Sequence, residues 1–236
     1  MKCRTATRTA AAWLLAAAAC GSALAQDKPA PGNTLRVQGS IHIDAGRGTV
    51  ELESHATTLA ADLGQKTAAH LQTAEGRAAV QRGDARARAS TGQGLSAGDV
   101  QAFADGYAGK TVYASTMRHV PALSRYLLTL DARAANGPRV SLDVQLDEKT
   151  LAAVGAKVAY YPDSQDVSND FRTGKKSPAT VRIDKIERVG DKVYAVSGSF
   201  SATDLKPRAT SKKLQGQTLP AVSGRFAFSE VPLRDK

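Results

Sequence analysis

The pentapeptide Gly94-Leu95-Ser96-Ala97-Gly98 matches the G-x-S-x-G turn that lifts a nucleophilic serine off the end of a buried strand. That chemistry needs an apolar strand before the serine, a helix after it, and an acid and then a histidine further along the chain. Here the polar, basic run ARARASTGQ precedes the motif. His119 is the only later histidine, and the 23 positions between it and Ser96 are too few for the strands of a hydrolase sheet. The same residues suit a helix start, because Ser96 and Asp99 stand at capping-box spacing with Asp in place of the usual Glu. Ser96 therefore reads as a cap, and no catalytic residue is nominated.

Metal chemistry finds little better footing. His42, His55, His70 and His119 are not paired at the short spacings of a compact zinc site, and Cys3 and Cys20 both fall near the N-terminus. Asp163, Asp166, Asn169 and Asp170 (DSQDVSND) offer oxygen ligands of the kind Ca²⁺ takes. Their spacing departs from D-x-D-x-D-G, however, and short polar side chains also cap turns. Arg82-Gly83-Asp84 spells a cell-adhesion tripeptide that chance readily produces in an Arg- and Gly-rich chain. With no phosphate loop and no dinucleotide fingerprint either, the reading is no metal and no cofactor.

Charge is the more general clue. The chain has 32 Lys and Arg against 22 Asp and Glu, a net charge of +10. Bases gather at Arg77, Arg82, Arg86 and Arg88, at Arg172, Lys175 and Lys176, and at Lys206, Arg208, Lys212 and Lys213. A positive field favours anionic lipid head groups, lipopolysaccharide or acidic polysaccharide, while the plainer reading of the same bases is a solvated, solubilising surface. Nucleic acid is excluded, since no aromatic platforms are interleaved with these bases.

The N-terminus has the composition of an export signal. Lys2, Arg4 and Arg8 precede the apolar run Ala10 to Ala19, and Ala23-Leu24-Ala25 closes it before Gln26, so residues 1–25 read as a cleaved signal peptide and residues 26–33 (QDKPAPGN) as a flexible tether. The alternative is a lipoprotein box ending at Cys20, where Ala17 stands in place of the favoured Leu. Cleavage after Ala25 would remove both cysteines and Trp13, leaving a periplasmic or secreted domain without disulfides. The apolar run is about half the length of a bilayer span, and nothing later approaches one, so no transmembrane segment is expected.

The elements read mainly as strands. Val37, Gly39, Ile41 and Ile43 alternate with polar residues, and Val50 and Leu52 begin a second strand after Gly46-Arg47-Gly48. Tyr126 to Ala132 and Val140 to Leu146 flank Asn136-Gly137-Pro138, a hairpin signal in which Asn-Gly would supply positive φ. Further strands are VGAKVAYY, TVRIDKIERV, KVYAVSGSFSA and AVSGRFAFSEV; in TVRIDKIERV the parity shifts between Ile183 and Ile186, which predicts a bulge. Val37-x-Gly39, Val196-x-Gly198 and Val222-x-Gly224 begin three copies of V-x-G-x-φ-x-φ, where φ is apolar. Glycine on such a face marks a bend or a close backbone approach. Ser96 to Ala108 reads as a short helix. Ala56 to Ser90 stays open between helix, with Leu59, Leu63 and Leu71 but Gly64, Gly76 and Gly83 against it, and strands or loops with small side chains.

The segment TVRIDKIERVGDKVYAVSGSFSATDL followed by LPAVSGRFAFSEVPL resembles the closing strands of secreted bacterial β-sandwich proteins of uncharacterised function. The resemblance implies a sandwich-like fold and an envelope address, and carries over no site residue. The sequence thus predicts a single all-β domain over 34–236, a mainly antiparallel sandwich or barrel-like structure with one or two short helices. Its expected role is that of an exported envelope protein that binds or scaffolds, without being an enzyme, with an anionic surface component as ligand. The rival reading is a periplasmic hydrolase, which should draw Ser96, His119 or the 163–170 carboxylates into one pocket.

Overall fold

The computed structural model describes residues 32–46, 48–174 and 178–234; the expected signal peptide, Cys20 and most of the expected tether lie outside the described residues. The chain divides into two compact units, one holding Thr57–Val112 and the other Arg36–Ala56 with Tyr113 onward.

The larger unit is built of β-strands. Strand β1 covers Thr34–Asp44 and β2 Thr49–Thr58, each with one end outside this unit. Then come β4 (Thr116–Val120), β5 (Arg125–Arg133), β6 (Arg139–Asp147), β7 (Ala153–Tyr161), β8 (Phe171–Arg172), β9 (Thr180–Gly190), β10 (Val193–Pro207) and β11 (Leu219–Arg234); β3 is the three-residue Thr111–Tyr113. Each follows an alternating or branched apolar run, as period-two patterning requires. From β4 to β11, and where β1 meets β11 and β2 meets β5, the pairings are antiparallel except that of β11 with β4. The ladder closes on itself in the order β11–β4–β5–β6–β7–β8–β10–β11, so this is a barrel-like ring. Ile41, Leu52, Leu128, Leu142, Phe200 and Phe226 are among the side chains that fill its interior. Each buried side chain of this size contributes about 1.5–3 kcal/mol relative to exposure.

Several expectations meet the structure directly. The bulge predicted in β9 is there: Lys185 faces Ser197 and Ile183 faces Gly198, so Asp184 is the extra residue. The three glycines of the V-x-G echo lie on β1, β10 and β11, which are neighbours, and each sits under a phenylalanine. A Cβ on Gly39 would stand 2.7 Å from the Phe228 ring, one on Gly198 2.7 Å from Phe226, and one on Gly224 2.8 Å from Phe200. The β5–β6 hairpin also forms, but not by the expected mechanism. Arg133 pairs with Arg139, the Pro138 carbonyl accepts from the Ala134 amide at 2.8 Å, and neither Asn136 nor Gly137 has positive φ. The longer loop relieves the turn of that requirement. A second correction concerns β1, where Val37 is 49% exposed and Gln38 is 0% exposed. The inward stride holds only from Gly39 onward, because the Gln38 amide is drawn in by backbone groups.

The smaller unit contains the three described α-helices, one more than the one or two short helices expected: α1 (Leu63–Leu71), α2 (Ala74–Thr91) and α3 (Ala97–Tyr107). Residues 56–90 are thus the end of β2 followed by two helices. The glycines that argued against helix are points of close packing. A Cβ on Gly64 would lie 2.2 Å from the Asp105 carboxylate of α3, and one on Gly76 2.0 Å from the His70 carbonyl. Thr73 caps α2 by accepting from the Gly76 amide, and Gly92 ends it at φ +72°. Ala87, Leu95 and Val100 form its small apolar core, with Leu71 and Val80 packed against them.

Candidate functional site

Ser96 does what a cap does. Its Oγ accepts from the Asp99 amide at 3.1 Å, and the Asp99 carboxylate accepts from the Ser96 amide at 2.9 Å and from the Ser96 hydroxyl at 2.7 Å. His119 belongs to the other unit, where its Nε2 meets Glu148 at 2.8 Å and its ring lies 4.7 Å from that of Tyr126. The structure therefore does not bring the two together within either unit. The other histidines keep to their own elements: His42 faces Glu51 at 3.5 Å, His55 faces Glu53 at 3.1 Å, and His70 lies in the last turn of α1.

The 163–170 loop spends its carboxylates on cations of the chain itself. Asp166 accepts from Lys213 at 2.7 Å, Ser168 at 2.6 Å and Asn169 at 2.9 Å. The Lys213 bond first, then the other two, hold its carboxyl far below the usual range. Asp170 is 0% exposed and is bracketed by Arg172 and by Arg208, whose Nε lies 2.8 Å from Oδ1. The Ser211 Oγ accepts from the Asp170 amide and donates to the Ser168 carbonyl. Two of the basic clusters are consequently not a free face: Arg172, Arg208 and Lys213 clasp this loop, while Lys175 and Lys176 lie outside the described residues. Among the described residues no His, Cys, Asp and Glu cluster has the makings of a metal site. Arg82-Gly83-Asp84 lies within α2, and Asp84 is bound to Arg88 and to the Leu95 amide. Those two bonds, the Leu95 amide first, lower its pKa.

The arrangement sequence reasoning missed lies on the outer face of β1, β11, β10 and β9. Cross-strand register places His42 opposite Arg225, Arg225 opposite Ser199, and Ser199 opposite Arg182. One row therefore carries a histidine and two guanidiniums across four strands, spaced by multiples of about 4.8 Å. The next row is Ser40, Ala227, Ser197 and Lys185, and the one on the other side runs through Asp44, Ser223 and Ser201. The two middle strands thus present serines and alanines, with Arg225 rising from them. Longer side chains border this floor: Arg182 and Lys185 on β9, His42 on β1, and Glu51 and Glu53 on β2. The result is an open trough with two hollows. One of about 360 Å³ is lined by His42, Asp44, Thr49, Ser199, Ser223 and Arg225. The other, of about 400 Å³, is lined by Ser40, Glu51, Glu53, Lys185, Ser197 and Ala227, among others.

Most charges bordering the trough have partners. Arg182 meets Asp184 at 2.8 Å and Lys185 meets Glu187 at 2.7 Å. No described carboxylate pairs with Arg225. Chemically, this is a surface that can hold an anion over Arg225 while offering hydroxyls around it. The chain matches no family model, no curated protein and no solved structure. The site's reading therefore rests on its own chemistry. The only trace of it in the sequence was the serine alternation in VSGSFSA, which marks an outward face without saying which strands adjoin it.

Proposed function

We propose that this is an exported protein of the bacterial envelope, periplasmic or secreted, that binds an anionic surface component, lipid or polysaccharide, through the outer face of β1, β11, β10 and β9. The observation that carries the reading is the row of His42, Arg225 and Arg182, in which Arg225 has no described carboxylate partner and stands on a floor of small side chains. A guanidinium so presented keeps its full hydrogen-bonding fork for a ligand. Support for the address comes from the basic and apolar stretches of residues 1–25 and the A-L-A that ends them. No helix among the described residues is long and apolar enough to cross a membrane.

Retention on immobilised heparin and on lipopolysaccharide, measured against salt, tests the binding. The expected result is retention at low salt that weakens as salt rises and weakens further in Arg225→Glu. Absence of binding at low salt would dispose of the reading. The intact mass of the exported form tests the address by separating a chain starting at Gln26 from one acylated at Cys20.

A further inference from the structure

Resting on the anion-binding reading above, we infer that the occupant of the trough is an acidic saccharide chain rather than a bare polyanion. The trough holds more than positive charge. Ser197, Ser199, Ser201 and Ser223 face outward on its floor and Ser40 beside it, and none of their hydroxyls hydrogen-bonds to another described side chain or backbone group. Exposed strand positions ordinarily favour β-branched and aromatic residues, so this concentration of serine runs against strand propensity. Five hydroxyls can each donate and accept, and a ligand that only accepts would leave their acceptor side unused. They suit one that also carries hydroxyl groups of its own.

The carboxylates point the same way. Asp44 lies in the hollow that contains Arg225, and Glu51 and Glu53 line the adjoining one. Asp44 accepts one bond from the Gly46 amide at 2.7 Å, and Glu51 stands 3.5 Å from His42, so both retain lone pairs for further bonds. A polyphosphate passing here would meet these carboxylates with nothing but like charge. A chain of hydroxylated rings bearing acidic groups would place one acid over Arg225 and donate hydroxyls to Asp44 and Glu51. Complementarity of charge and of donors thus selects a single class of occupant.

The experiment compares three probes on the purified full chain at low salt: heparin fragments, inorganic polyphosphate and neutral dextran. The variants are Arg225→Gln, and Ser199→Val and Ser223→Val, whose valines suit outward strand positions; far-UV circular dichroism and thermal midpoints check that each folds. Expected is that heparin binds most tightly, and that each serine variant weakens heparin binding by about three- to tenfold, the range of one hydrogen bond, while polyphosphate binding stays unchanged. Arg225→Gln should weaken both polyanions. Serine variants that bind heparin like the parent overturn the saccharide inference, and so does polyphosphate binding tighter than heparin; in either case an Arg225 effect leaves the anion reading standing. Failure of both polyanions to bind overturns the two together.

Discussion

Replacing Gln38 should reveal how much one buried amide contributes to closing the β unit. Its Nε2 donates to the Ser115 carbonyl at 3.0 Å and to the Glu230 carbonyl at 2.9 Å, while its Oε1 accepts from the amides of Ala114 and Ser115 at 3.0 and 3.1 Å. All its donors and both lone pairs are used. Ser115 is itself 0% exposed, and its Oγ bonds to Ser54 and accepts from the Asp131 amide, so this amide sits at the head of a polar network joining β1, β2, β5 and β11. In Gln38→Leu the packing volume is roughly kept, but the Ser115 amide and carbonyl and the Glu230 carbonyl lose their partners. Each buried unsatisfied group costs about 1–3 kcal/mol, and the Ala114 amide keeps its bond to the His55 carbonyl at 3.1 Å, so the expected loss is about 4 kcal/mol. Against a total of about 5–15 kcal/mol that is large. Urea unfolding followed by far-UV circular dichroism measures it, with the urea slope unchanged if the folded state keeps its compactness. Gln38→Glu sharpens the test. A carboxylate there would face two carbonyl oxygens, so the folded state would raise its pKa. The variant's stability should then be whole below the unfolded value of about 4.3 and be lost as pH rises through the folded value. A Gln38→Leu variant within about 1 kcal/mol of the parent would refute the claim that this amide holds the strands together.

Other outcomes follow from the same packing. Gly198→Ala should destabilise by about 3 kcal/mol, because its Cβ would stand 2.2 Å from the Arg182 carbonyl, whereas Gly106→Ala in α3 meets nothing within 4 Å and should stabilise by up to about 1 kcal/mol; thermal midpoints of the pair check both. Asp131 is gripped by Arg139 at 2.7 to 3.0 Å, and burial raises its pKa even though the Arg139 charge opposes the rise. Arg139→Met should therefore cost about 3 kcal/mol at neutral pH. Without the Arg139 charge the folded pKa of Asp131 rises further than in the parent, so that deficit should shrink on acidification as the carboxyl regains its proton, and an equal loss at about pH 4 and about pH 8 would contradict it.

Much of the β unit was legible residue by residue. The alternation from Tyr126 to Leu146 and from Val193 to Phe228 reappears as β5, β6, β10 and β11, and the parity slip before Ile186 reappears as the Asp184 bulge. The Ser96 cap was legible too, since a capping box closes within four residues. The helices of residues 63–91 were not, because Gly64 and Gly76 lower helix propensity locally and reveal their purpose only where another backbone or side chain comes against them. Gln38 misled in the opposite way: an amide at a polar step of an alternating strand reads as solvent-facing until its four partners are assembled.

Local spacing alone determined that this chain folds into strands with one wet side, because side-chain direction along a strand depends only on parity. Pairing decided everything that bears on function. That Arg225 stands between His42 and Ser199, and that Asp170 meets Arg208, depends on contacts between residues dozens of positions apart. A one-residue slip in any register would send those side chains to the opposite face, and no single stretch of sequence carries the information that prevents it.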